Sequence, residues 1–116
     1  MTLYEKQVEF SKLVPLLINK AFELGYTVTL GEVYRSPEEA KRLAKLGKGI
    51  ENSLHTVRLA IDLNLFRNGT YLTDNEAHRT LGTYWESLSN GKPFTTYWGG
   101  HFGDGNHYSI THENRK

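Results

Sequence analysis

Apolar residues recur at helical spacing near the start of the chain, at Val8, Leu13, Leu16, Leu17, Phe22 and Leu24. Thr2 and Glu5 stand three apart just ahead of them, the capping-box pattern in which each side chain takes up a free backbone N–H. Gly25 fits a left-handed stop. Together these predict a helix over residues 3–24. The period then changes. Tyr26-Thr27-Val28-Thr29-Leu30 is β-branched and aromatic and predicts a strand, with a kink or bulge at Gly31 and a continuation through Val33 and Tyr34 to Arg35. Ser36, Pro37 and Glu39 open a second helix with another capping box, which turns Ala40, Leu43 and Leu46 inward and stops near Gly47. Residues 48–52 read as a loop. Leu59 to Phe66 is the most apolar strand, and Asn68-Gly69 is a hairpin signal leading to a short partner at Tyr71-Leu72. Asp74 caps a third helix that carries Ala77, Leu81, Trp85 and Leu88 on one face, ended by Gly91 and Pro93. A glycine-rich loop from Trp98 to Gly105 precedes a last strand beginning near His107.

Helices and strands alternate, the connections are short, and a hairpin is present. The expected fold class is α+β, a small antiparallel sheet flanked by about three helices in a single domain spanning 1–116. The chain has no cysteine, which excludes disulfides, zinc fingers and thiol nucleophiles. Its formal net charge of +1 does not suggest a nucleic-acid partner. Lys41, Arg42, Lys45 and Lys48 make a basic helix face, which is ordinarily a solvated one. No apolar run is long enough for a membrane span, so no membrane insertion is expected. The first residues carry no signal-peptide pattern, so synthesis in a cytoplasm is expected.

Chemistry concentrates in two segments. Asp62 lies inside the apolar strand. Alternation puts Ala60, Asp62 and Asn64 on one face and Leu59, Ile61, Leu63 and Leu65 on the other. A carboxylate there is costly unless paired or bound to a metal. A structural role, bonded to backbone or to Arg58, fits the pattern as well as a metal does. Asp104 and His107 lie in or just after the glycine-rich loop, which suits either a ligand site or a plain surface turn. With His55, the two segments offer His, Asp and His. A catalytic zinc site uses three such ligands and one open position, with a nearby carboxylate as base.

At these residues the chain resembles a family. Ser53-Leu54-His55-Thr56-Val57-Arg58-Leu59-Ala60-Ile61-Asp62 resembles the S-x-H-x-x-G-x-A-x-D signature of the VanY-like zinc peptidases, which comprise D-alanyl-D-alanine carboxypeptidases and phage L-alanyl-D-glutamate endopeptidases. The segment from Trp98 to His107 is similar to the second signature, and Tyr34-Arg35-Ser36 to the upstream arginine motif. The resemblance implies one zinc ion per chain held by His55, Asp62 and His107, with Asp104 as catalytic acid/base. It implies that Arg35 steadies the substrate or the developing oxyanion and that Ser53 lies near the substrate. The family fold, a small antiparallel sheet with flanking helices of the hedgehog/DD-peptidase kind, agrees with the pattern. Arg58 departs from the signature, where glycine is usual. If that position needs a positive φ, arginine is strained there.

The expectation is a zinc peptidase acting on the peptidoglycan stem peptide, a monomer. Its reaction is expected to be L-alanyl-D-glutamate cleavage as a phage endolysin that is made in the host cytoplasm and acts at the wall after release. The alternatives are a D-alanyl-D-alanine carboxypeptidase or dipeptidase and a non-catalytic zinc-stabilised wall-binding domain. Trp98 is expected either to line the cleft and touch substrate or to pack. Trp85 reads as core, His78 and His112 as solvated, His101 as a bystander or a substrate contact, and residues 113–116 as a frayed tail.

Overall fold

The computed structural model describes residues 1–116. The chain runs α1 (Leu3–Glu23), β1 (Thr27–Leu30), α2 (Pro37–Lys45), β2 (Ala60–Arg67), β3 (Thr70–Leu72), α3 (Arg79–Ser87), β4 (Thr96–Trp98) and β5 (His107–Ile110). The five strands form one antiparallel sheet in the order β1-β2-β5-β4, with β3 paired to β2 at its C-terminal end. The α+β expectation holds: three helices and a small antiparallel sheet.

The capping box of α1 forms: Thr2 Oγ1 accepts from the Glu5 N–H at 3.1 Å, and Glu5 Oε1 accepts from the Thr2 N–H at 2.8 Å. The buried stripe of α1 is Phe10, Leu13, Leu17 and Ala21, whereas Leu16 and Phe22 are exposed. The pattern reading missed Phe10 and Ala21 and wrongly included Leu16 and Phe22. The stripe faces Leu59, Ile61, Leu63 and Leu65 from β2 and its approach, Leu81 and Trp85 from α3, and Tyr108 and Ile110 from β5. Trp85 is core, as expected, and its indole N–H donates to the Ser109 carbonyl at 3.0 Å.

β1 stops at Leu30 and does not continue to Arg35. Gly31 N–H donates to the Asp62 carbonyl, and Asp62 N–H donates to the Glu32 carbonyl. Two residues therefore oppose one, which is a bulge. A Cβ on Gly31 would stand 2.9 Å from the Asp62 carbonyl oxygen, so the expected bulge is also a point of close backbone approach. Ser36 caps α2 by accepting from the Glu39 N–H at 3.0 Å. The return bond of a capping box is absent, because the Glu39 carboxylate pairs with Arg42 instead. Leu46 is exposed rather than inward.

Other expectations fail on burial and pairing. β4 was not anticipated, and it pairs with β5 from Thr96↔Ile110 to Trp98↔Tyr108. The third helix starts at Arg79 after a 3-10 turn at Glu76–His78. Asp74 still caps that turn, accepting from the Ala77 N–H at 2.8 Å. His78 is only 3% exposed, with Nδ1 2.8 Å from the Tyr108 hydroxyl. His112 is 11% exposed in its side chain, between Lys6 and Glu113. The tail is tied down by a bridge from His112 to Arg115 and by Arg115 Nη1 donating to the Asn52 carbonyl at 3.2 Å.

Candidate functional site

The sheet itself brings two of the candidate ligands together. β2 pairs with β5 in the register Ala60↔Ser109, Ile61↔Tyr108, Asp62↔His107. Asp62 and His107 are thus directly opposed across adjacent strands, and their side chains point to the same face. That face is opposite the one on which Ile61, Leu63 and Leu65 enter the core. The third, His55, comes from a 3-10 turn at Leu54–Val57. Ser53 caps this turn: its hydroxyl accepts from the His55 N–H at 3.2 Å, and its carbonyl accepts from Thr56 Oγ1 at 2.6 Å. Arg58 closes the turn in the left-handed region at φ 56°, so the position does need a positive φ. Its guanidinium lies 4.1 Å from the Tyr34 ring centroid, a cation–π contact that offsets part of the backbone strain.

Candidate ligand atoms of His55, Asp62 and His107 all lie within 4.8 Å of one another. His55 Nε2 is 3.2 Å and His107 Nδ1 3.5 Å from Asp62 Oδ1. Neither contact has hydrogen-bond geometry, and Asp62 Oδ1 is buried without a partner, as is His107 Nε2. His55 Nδ1 lies 3.1 Å from the Val33 carbonyl. A carbonyl only accepts, so Nδ1 carries the hydrogen and Nε2 presents its lone pair to the cavity. A carboxylate oxygen with no donor, facing two imidazole nitrogens, fits a divalent cation of the kind that takes nitrogen and oxygen ligands. These three residues can hold a metal ion.

Electrostatics agree. Burial pushes the Asp62 carboxyl up, but the two imidazoles more than offset this and hold it at about 2. Burial pushes His55 down, and the Asp62 carboxylate outweighs it, so the net direction is up. Asp104 is raised, first by partial burial and further by the charge of Asp62, against the opposing pull of His107, His55 and Arg35. Its Oδ2 lies 3.9 Å from His107 Nδ1. The glycine loop places it: Asp104 N–H donates to the Gly99 carbonyl, and the Asp104 carbonyl accepts from the His107 N–H. A Cβ on Gly99 would come within 2.4 Å of that Asp104 carbonyl oxygen, so only glycine fits.

A cavity of about 240 Å³ opens over these groups, lined among others by Arg35, Ser53, His55, Asp62, Asp104 and His107. Six of the seven residues singled out from the sequence therefore share one cavity. The seventh, Trp98, does not line it. Trp98 is 2% exposed, and its indole N–H donates to the Gly105 carbonyl at 2.7 Å. It packs beneath the glycine loop, because the small residues Gly82 and Gly100 leave room for its ring. His101 also stays outside the cavity, 2.8 Å from Glu86 Oε2.

Two features escaped the sequence. Glu32 holds the Arg35 guanidinium in a fork, accepting from Nε at 3.1 Å and from Nη2. The cavity wall also carries Lys48, Phe102 and Lys116. Glu32 stands three residues before Arg35, a spacing that was available but lay in a stretch read as strand.

No family model matches the chain, and no curated protein matches it at a significant level. Among solved structures the fold is similar to the crystal structure of the L-Ala D-Glu endopeptidase ChiX of Serratia marcescens, with a TM-score of 0.66 at 18% identity. The match covers 82% of this chain and 75% of that one.

Proposed function

We propose that this chain is a zinc-dependent peptidoglycan peptidase that cuts the L-alanyl-D-glutamate bond of the stem peptide and serves as a phage endolysin in host lysis. The observation that carries the reading is the buried, donorless Asp62 oxygen between His55 Nε2 and His107 Nδ1, in one cavity with Asp104 and Arg35. The fold it shares with an L-Ala D-Glu endopeptidase supports the choice of bond.

His55 Nε2, Asp62 and His107 Nδ1 would hold the ion, one per chain. A bound zinc ion supplies Lewis-acid polarisation of the scissile carbonyl and acidifies the attacking water. The chain's own residues do the rest. The Asp104 carboxylate accepts the proton of the attacking water and returns it to the leaving amine nitrogen. Its raised pKa makes the carboxylate a stronger base for the first of these transfers. Arg35, gripped by Glu32 on two of its donors, turns the remaining ones to the cavity for a substrate carboxylate or the developing oxyanion. Ser53 supports the site by capping the His55 turn. In this reading the protein works as a monomer, is made in the host cytoplasm and reaches the wall on release.

The test is Asp104→Asn, which keeps the shape and removes the base. Zinc content and fold are expected to be retained, while cleavage of purified muropeptides, followed by mass spectrometry, falls by at least about 100-fold. Undiminished cleavage would remove Asp104 from the mechanism. Release of terminal D-alanine alone from the unmodified protein would replace the endopeptidase reading with the carboxypeptidase one.

A further inference from the structure

A second cavity, of about 170 Å³, lies on the other side of Asp104, lined among others by Tyr71, Asp74, Asn75, His78 and Asn106. The two cavities share Asp104 and no other residue, so the acid/base stands between them. Their chemistry differs. The metal-side cavity is walled by three cations, Arg35, Lys48 and Lys116. The far cavity has no lysine or arginine and offers carboxylate, amide and hydroxyl groups instead.

Resting on the peptidoglycan-peptidase reading, we propose that the far cavity binds the sugar to which the stem peptide is attached, so that the enzyme prefers stem peptides still linked to N-acetylmuramic acid. The substrate is as asymmetric as this pair of cavities. On the C-terminal side of the L-alanyl-D-glutamate bond stands the free α-carboxylate of D-glutamate, with further carboxylates beyond it. On the N-terminal side stand L-alanine, an amide to the lactyl group and a sugar bearing hydroxyls and an acetamide, all uncharged. Arg35, Lys48 and Lys116 favour the anionic side, while Asp74 repels it from the far cavity. The uncharged side then crosses Asp104 into a wall of hydrogen-bonding groups suited to hydroxyls.

The far wall is built to hold still. The Asn106 carbonyl accepts from the Leu63 N–H, anchoring this residue to β2. Asp74 is fixed by its bond to the Ala77 N–H. Tyr71 is 50% exposed at the rim, with its ring 5.1 Å from that of Phe66. Its hydroxyl donates to Asn64 Oδ1 at 3.4 Å, and the ring offers a flat apolar face to the C–H side of a pyranose.

The experiment compares two soluble substrates with zinc-loaded protein: N-acetylmuramyl-L-alanyl-γ-D-glutamyl-diaminopimelate and the same tripeptide without the sugar. The sugar-linked substrate is expected to have the higher kcat/KM, by roughly 100-fold, the equivalent of two good hydrogen bonds. Tyr71→Ala and Asn106→Ala are each expected to lower that preference by roughly tenfold. Equal kcat/KM on both substrates overturns the proposal, as does a preference that neither variant reduces. Cleavage of neither substrate would instead count against the peptidase reading. The sugar site is then judged by titrating N-acetylmuramyl-L-alanine amide and following backbone amide resonances. Shifts at Gly103, Gly105 and Asn106 that vanish in Asn106→Ala support it, and no shifts there overturn it.

Discussion

Asp62 and His107 reach the cavity from the middle of a hydrogen-bonded ladder, whereas His55 and Arg35 reach it on irregular backbone between β1 and β2. The first pair needs only a register: opposed residues on antiparallel strands present their side chains together. The second pair needs separate devices. His55 depends on the Ser53 cap, the left-handed Arg58 and the Val33 carbonyl, and Arg35 depends on the Glu32 fork. The ladder fixes where a metal would sit, and the irregular segment completes and orients the site.

The sharpest way to break this division is at its junction. Gly31→Ala forces a Cβ to within 2.9 Å of the Asp62 carbonyl oxygen and 3.0 Å of its Cβ. The bulge must shift, at a cost of about 2 kcal/mol. Zinc affinity, measured by calorimetry, is expected to fall with stability, because the residue displaced is itself a candidate ligand. Loss of stability with full zinc affinity would show that the ladder holds its ligands independently of the bulge.

The next effect tests the ladder from beneath. His78 is buried against Tyr108 of β5, and burial lowers its pKa from 6.5 to about 4. Between those values the unfolded chain binds a proton that the folded chain refuses. This contribution to stability is therefore complete above pH 6.5 and is lost as pH falls through about 4. Allowing for partial solvent access, it amounts to about 2 kcal/mol. Denaturant unfolding of metal-free protein should show a steeper acid loss for the unmodified chain than for His78→Gln, which retains a partner for the Tyr108 hydroxyl but does not titrate. Equal slopes would mean that the ring is not held neutral.

The smallest effect concerns the irregular side. Arg58→Gly relieves left-handed strain of about 1 kcal/mol but loses a similar amount in the Tyr34 contact and in backbone entropy. Its net change in unfolding free energy is expected to lie within about 0.5 kcal/mol. Arg58→Ala keeps the strain and loses the contact, and should cost about 1 kcal/mol. Both variants lose the Tyr34 contact, so if the glycine variant were the less stable of the two, backbone entropy would outweigh the left-handed strain.

The same contrast explains what the chain makes legible before folding. Asp62 stands out because a carboxylate in an otherwise apolar strand violates its local pattern. His107 was legible from its place after the glycine-rich loop and from the family resemblance, whereas its pairing with Asp62 emerges only in the sheet; the Gly31 bulge follows from a glycine inside a strand pattern. Glu32 and Val33 were hidden because their roles come from irregular backbone, where neither period applies. His78 read as a surface residue because its position in the helix shows polar character, while its burial is imposed by Tyr108 across the chain. Trp98 was ambiguous between cleft and core because an indole serves both, and the neighbouring glycines that admit its ring, Gly82 and Gly100, lie on different segments. β4 was masked by the glycine-rich loop that follows it.

The central claim is that His55, Asp62 and His107 form a metal centre on which cleavage depends. The most direct measurement is metal content together with muropeptide cleavage on one purified sample, before and after chelation. The account predicts one zinc per chain, cleavage that stops on chelation and returns with added zinc, and products split at L-alanine. Full cleavage by protein stripped of metal would contradict it.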